Sequence, residues 1–213
     1  MQKLSKRMGT STILDTLLAT PHSELIIAEY HRLMDEERSR IAEFLNSISE
    51  NMKAEFINGE IVMHSPVMKR HWVASNKITS RLSLFVEEND LGIVGSEKVM
   101  IDCSRNKYEP DIVFFKKDKA DTFHKEQLLF PPPDFIAEIL SDSTRQNDYH
   151  VKFQDYAAHG VTEYWIVDPE IQTIEQFILE GDRYELKHRF KHDDHIDSVV
   201  IEGFRLDMSR IWG

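Results

Sequence analysis

Two carboxylates stand where the sequence otherwise calls for apolar side chains. Asp111 follows Pro110 and heads the run Ile112-Val113-Phe114-Phe115. Glu138 lies inside Phe135-Ile136-Ala137-Glu138-Ile139-Leu140. A carboxylate in a buried strand is expensive unless it is paired or holds a cation. If the two strands are neighbours, both side chains point to one edge of the sheet. Two close carboxylates repel, and a divalent cation between them relieves the repulsion. Hard oxygen donors select Mg²⁺ or Mn²⁺ over zinc. Such an ion polarises a phosphate and lowers the pKa of bound water. A positive side chain beside an attacking water would complete the chemistry, and Lys152, early in the following helix, is the best placed by sequence.

The elements that must hold these groups follow from pattern. Residues 135–140 read as a strand buried on both faces, and 141–147 are turn and cap residues. A helix is predicted from about 148 to 159, with Val151, Phe153, Tyr156 and Ala157 as apolar positions and Gly160 as its stop. Tyr164-Trp165-Ile166-Val167 is a second strand, its aromatics read as core. A strand–helix–strand unit implies a right-handed crossover and a parallel pair. Upstream, residues up to 50 form a helical lead-in: a polar start through Thr12, a short helix near 13–18, then one from Ser23 that either continues through 48 or restarts at Ile41. Asn58-Gly59 marks a hairpin over 55–63. A helix over 69–88 carries Ala74, Ile78, Leu82 and Phe85 on one stripe and Arg70, Lys77 and Arg81 on the next. Strands are expected over 92–102 and 108–115, a loop over 116–132, a hairpin over 173–190 and a further strand over 198–201.

The 213 residues allow one sizeable core plus an appendage, with 41% hydrophobic and 30% charged residues, as in globular proteins. Cys103 is the one cysteine, which excludes an intrachain disulfide and is read as excluding a cysteine-based zinc site. No apolar stretch is long enough for a membrane span. Lys3, Lys6 and Arg7 are not followed by an apolar leader segment, so a cytoplasmic protein is expected. A net charge of −11 opposes broad non-specific nucleic-acid binding. A local exception runs from Ile61 to Val86, which holds Lys69, Arg70, Lys77 and Arg81 and no acidic residue.

The chemistry-bearing residues resemble a known superfamily. Glu109-Pro110-Asp111 followed by Glu138-Ile139-Leu140-Ser141 is similar to the PD-(D/E)XK nucleases. The more detailed match is to the Uma-two family of putative restriction endonucleases. It runs through Glu55 and Asn58-Gly59-Glu60, Ser65-Pro66 with His71, Pro110-Asp111, Pro133, Glu138, Asp148 with Lys152, and Tyr156-Ala-x-x-Gly160-Val-x-Glu-Tyr-Trp-Ile-Val-Asp-Pro169. The last string is the specific part. The resemblance implies an α/β fold: a restriction-endonuclease-like mixed β-sheet core over 51–213, flanked by helices, with C-terminal β-hairpins and an N-terminal helical extension over 1–50. It implies that Asp111 and Glu138, with the backbone carbonyl of Ile139, bind Mg²⁺ or Mn²⁺. Leu140 stands where the wider superfamily has lysine, so Lys152 is the natural substitute and Lys98 the other. Glu55 resembles an acidic residue that such nucleases place near the metal.

Each assignment has a plainer competitor. Asp111 could cap a strand, Glu138 could pair with Arg145, Lys152 could be solvated, and Glu55 could flank a hairpin. Asp148 more often caps a helix. His71 and the stripe Arg70, Lys77 and Arg81 are candidates for nucleic-acid contact, against a solvated flank. His188, His192 and His195 are too loosely spaced for a zinc site, and His192-Asp-Asp-His reads as a turn. The reading that results is a metal-dependent endonuclease acting on nucleic acid, DNA before RNA, as a homodimer without membrane association. The alternatives are a non-catalytic nucleic-acid-binding or interaction module on the same fold, and a dimerising role for the N-terminal helices.

Overall fold

The computed structural model describes residues 8–49 and 52–212. The start of the polar N-terminal stretch, residues 1–7, lies outside them. The chain divides into two compact units, Met1–Ser49 and Glu50–Gly213.

The first unit holds α1 (Met8–Ala19) and α2 (Ser23–Ser47). Of the two readings for this stretch, the single continuous helix holds. The charged joint Asp35-Glu36-Glu37-Arg38 stays helical, with Arg38 paired to Asp35 and Arg32 to Glu29, one turn apart. Ile13, Leu18, Leu25 and Tyr30 are exposed.

The second unit runs β1 (Ala54–Ile57), β2 (Glu60–Met63), α3 (Lys69–Glu88), β3 (Gly92–Ser96), β4 (Met100–Cys103), β5 (Asn106–Tyr108), β6 (Ile112–Lys116), α4 (Lys117–Ala120), β7 (Leu129–Phe130), β8 (Phe135–Ile139), α5 (Arg145–Tyr149), α6 (Val151–Ala158), β9 (Glu163–Asp168), β10 (Thr173–Glu180), β11 (Arg183–Phe190), β12 (His195–Asp197), β13 (Arg205–Asp207) and α7 (Ser209–Trp212). The main sheet has the order β11-β10-β9-β8-β6-β3, and a smaller sheet has β2-β1-β5-β4-β7. Only β8 and β9 pair in parallel in the main sheet, joined by the α5–α6 crossover; its other pairings are antiparallel. The fold is thus a mixed α/β core with C-terminal hairpins.

Alternation explains the unbroken apolar run of β8. Phe135, Ala137 and Ile139 pack with Ala74, Ile78 and Leu82 of α3 on one face of the sheet. Ile136 and Leu140 pack with Tyr156 and Ala157 of α6 on the other. Glu138 shares the α6 face by period two.

Five expectations need correction. The strand expected over 92–102 breaks at Glu97 and Lys98, both at positive φ (52° and 44°), where the chain leaves the main sheet for the small one. The strand expected over 108–115 breaks at Glu109-Pro110-Asp111 and crosses back, and Pro110 has no N–H to give a ladder. The helix expected over 148–159 begins at Arg145 and is split at His150 (φ −123°, ψ −75°). Residues 198–201 are not a strand. They are a turn fixed by Glu163, which is fully buried and accepts hydrogen bonds from Trp165 Nε1 (2.7 Å), Gln176 Nε2 (2.6 Å), Ser198 Oγ (2.7 Å), Val199 N (2.8 Å) and Val200 N (2.9 Å). The stretch 116–132, read as a loop, contains α4 and β7.

Candidate active site

Both crossings between the sheets open onto one cleft of about 310 Å³, whose lining includes Lys53, His64, His71, Glu97, Lys98, Glu109, Asp111, Glu138, Asp148 and Lys152. The strands carrying the two carboxylates are neighbours. Ile112 pairs with Ala137, so Asp111 and Glu138 stand next to each other one step further along the ladder, and Asp111 N donates to Glu138 Oε2 at 3.3 Å.

Asp111 is buried. Its Oδ2 accepts the Ile139 N–H at 2.9 Å and lies 3.2 Å from His71 Nε2, while Oδ1 accepts Lys53 Nζ at 2.9 Å. Burial alone would raise its carboxyl, but the hydrogen bond from His71 and the Lys53 charge hold it well below the usual range. Glu138 is different. Its Oε1 accepts both Lys152 Nζ (3.0 Å) and Tyr156 OH (2.8 Å). Burial, opposed by Lys152 and reinforced by the charges of Asp148, Asp111 and Glu55, pushes it up to about 8.

Lys152 is fully enclosed, with Glu55 and Glu138 each at 3.0 Å and Asp148 at 3.3 Å from Nζ. Burial disfavours its charge, but these three carboxylates raise it well above the ordinary lysine value. Glu55 sits mid-hairpin, with Oε1 accepting the Glu109 N–H (3.0 Å) and Oε2 at 3.0 Å from His64 Nε2. Burial opposes its ionisation, but Lys152 and His64 bring it down to about 2.

The structure therefore brings Asp111, Glu138, Ile139, Lys152, Glu55, Asp148 and His71 together. Arg145, the alternative partner for Glu138, binds Asp168 instead at 2.8 Å. The basic stripe of α3 is divided. His71 faces Asp111, whereas Lys77 donates to the Ile211 carbonyl (3.2 Å) and Arg81 NH1 to the Lys77 carbonyl (2.8 Å), and Arg81 lines a separate groove with Phe204. Arg70 is exposed and does not line the cleft. Lys53 and His64 were not picked out by sequence reasoning. They pair across the hairpin, His64 N to Lys53 O at 3.0 Å, and the period of two places Lys53 on the face of Glu55.

The donor set fits a hard divalent cation. Glu55, Asp111, Glu138 and Asp148 are all buried, and Lys53 and Lys152 are ion-paired with them. Four carboxylates against two lysines leave a surplus of two negative charges, which a divalent cation balances and a proton on Glu138 halves. A second group, Cys103, Asp155 and His159, also has ligand-type atoms within 4.8 Å of one another, so a lone cysteine does not exclude a mixed site. Its polar atoms are engaged: Asp155 Oδ2 accepts from Asn106 and Tyr108, and His159 Nε2 meets Ser104 Oγ, each at 2.8 Å. No comparable group forms at His188, His192 and His195 among the described residues.

Comparison with known proteins bears directly on this arrangement. Residues 39–209 match the family model Uma2, described as "Putative restriction endonuclease". The chain belongs to that family. In structure it is similar to a "putative nuclease belonging to DUF820" from Anabaena variabilis, at 19% identity and a TM-score of 0.69, over 80% of this chain and 96% of that one. A weaker similarity, at 12% identity and a TM-score of 0.39, is to the type IIG restriction endonuclease BpuSI, over 71% of this chain and 17% of that one. No curated protein matches the sequence. The likeness at 19% identity shows a shared fold.

Proposed function

We propose that this protein is a metal-dependent endonuclease that hydrolyses phosphodiester bonds in DNA. The observation that carries the reading is the apposition of Asp111 and Glu138 at the end of paired strands, inside an over-acidic cleft, in a chain of a restriction-endonuclease family. Asp111, Glu138 and the Ile139 carbonyl would hold Mg²⁺ or Mn²⁺. When bound, that ion supplies charge neutralisation at the phosphate and a lowered pKa for its water. The chain's own part is to keep Asp111 ionised through His71 and Lys53, and to orient Glu138 through Tyr156 and Lys152. Double-strand cleavage needs two cuts, so we place the enzyme as a homodimer, and the cytoplasm is its proposed location. Among the described residues, no helix is long and apolar enough to cross a membrane.

The test pairs calorimetric titration of Mg²⁺ and Mn²⁺ with plasmid nicking, on wild type and on Asp111→Ala/Glu138→Ala. Metal binding and nicking should both vanish in the double variant. Metal binding by wild type without nicking would favour a binding module on the nuclease fold, and no metal binding would end the reading.

A further inference from the structure

We propose that Lys53, rather than Lys152, is the lysine that meets the substrate phosphate. The inference rests on the nuclease reading above. An ammonium has three N–H donors. Lys152 Nζ donates to Glu138 and is ion-paired with Glu55 and Asp148 as well, and its side chain is 3% exposed. Turning to a phosphate would pull it away from the three carboxylates that it holds. Lys152 is then a positioning residue, the counter-charge that lets three carboxylates share one space.

Lys53 meets Oδ1 of Asp111, the oxygen that Ile139 and His71 leave free, and lines the cleft. Its Nζ donates to Asp111 Oδ1 at 2.9 Å and its side chain is 19% exposed. Among the described residues its ammonium makes no other hydrogen bond or ion pair. Two N–H groups therefore remain for a ligand, at a cation that touches one proposed metal carboxylate and opens to solvent. The hairpin backbone, not a flexible loop, fixes it, since its carbonyl accepts His64 N at 3.0 Å. A lysine so placed donates to a non-bridging phosphate oxygen as charge builds there. In the reaction, a water oxygen forms the new P–O bond and the P–O bond to the leaving nucleoside breaks with its electron pair on that oxygen. One water proton reaches the leaving oxygen through solvent, and the other passes to solvent or stays on the phosphomonoester. Lys53 accepts no proton in this account. Its work is charge and orientation.

The test uses the full chain with Mn²⁺ and supercoiled plasmid. Lys53→Met should lower kcat by about 10²-fold or more with little change in KM. Its Mn²⁺ affinity by calorimetry should hold or rise, because the ammonium no longer competes for Asp111 Oδ1. A merely structural role would weaken it. Lys53→Arg keeps the charge and should recover part of the rate. An activity-free arm follows reductive methylation of the wild type by peptide mass spectrometry: Lys53 should be modified far faster than Lys152, and a DNA duplex in Ca²⁺ should slow Lys53. Should Lys53→Met fail to fold, the Arg variant and the labelling decide. Nicking at the wild-type rate by Lys53→Met, equal labelling of Lys152, or loss of activity in Lys98→Met with Lys53→Met unaffected would each overturn the proposal while leaving the nuclease reading intact. A wild type that nicks no DNA with either metal overturns both.

Discussion

At the scale of single residues, the cluster is governed by which carboxyls stay ionised. Glu138 has a folded pKa of about 8, against roughly 4.3 in an unfolded chain. The folded protein holds the extra proton between those values, so this group's stability contribution is full at low pH and is lost as pH rises towards 8. Glu55 has the opposite sign: its contribution is full above the unfolded value and is lost as pH falls towards about 2. A cation must displace the Glu138 proton, so Mn²⁺ affinity should climb from about pH 6 and level off above about 8, and calorimetry across that range reads it directly. Glu138→Gln should abolish that binding, yet raise the melting temperature of the metal-free protein at alkaline pH. Lys152→Met leaves three buried carboxylates without their counter-charge and should destabilise by about 3–5 kcal/mol in denaturant melts at neutral pH. Asp111 and Glu138 were visible in the sequence because a charged residue inside an apolar run is conspicuous. Lys53 was not, because it sits just before a strand where lysine is ordinary, and it is the pairing of β1 with β5 that brings it towards Asp111.

At the scale of elements, the site exists because two strands are interrupted. Both breaks fall on short polar runs, Gly95-Ser96-Glu97-Lys98 and Glu109-Pro110-Asp111, flanked by apolar residues that read as strand on either side. The left-handed turn at Glu97-Lys98 uses no glycine, so composition carries no signal for it. Gly92 does carry one. Its φ is +146° and an added Cβ would stand 2.0 Å from the Phe115 carbonyl oxygen, so Gly92→Ala should cost more than about 2 kcal/mol by chemical denaturation. The string around Tyr164 was legible as a strand, but the role of Glu163 was not, because four of its five partners, Gln176 and residues 198–200, lie far along the chain. Glu163→Ala would orphan all five donors. A loss above about 4 kcal/mol is expected in melts, from several buried groups each worth about 1–3 kcal/mol.

At the scale of the whole molecule, the strand–helix–strand centre, the hairpin and the main helices were readable, because each has a strong local period or turn. The two-sheet division was not, since it depends on where the chain changes sheets. The first unit shows Ile13, Leu18, Leu25 and Tyr30 to solvent, more apolar surface than two helices need for themselves. If these helices join two copies, the full chain sediments as a dimer and a chain starting at Asn51 as a monomer; a truncated dimer would move the interface to the core. The Glu163 carboxylate has a consequence of another kind. Its Oε2 is filled by Ser198, Val199 and Val200, which follow it by 35 to 37 residues. During synthesis the central strand β9 leaves the ribosome with Oε1 in reach of Trp165 and Gln176 but with every partner of Oε2 still to come. The sheet cannot close around it until those residues have emerged. A chain stalled near residue 190 should therefore stay open to protease, however complete its proposed catalytic residues already are.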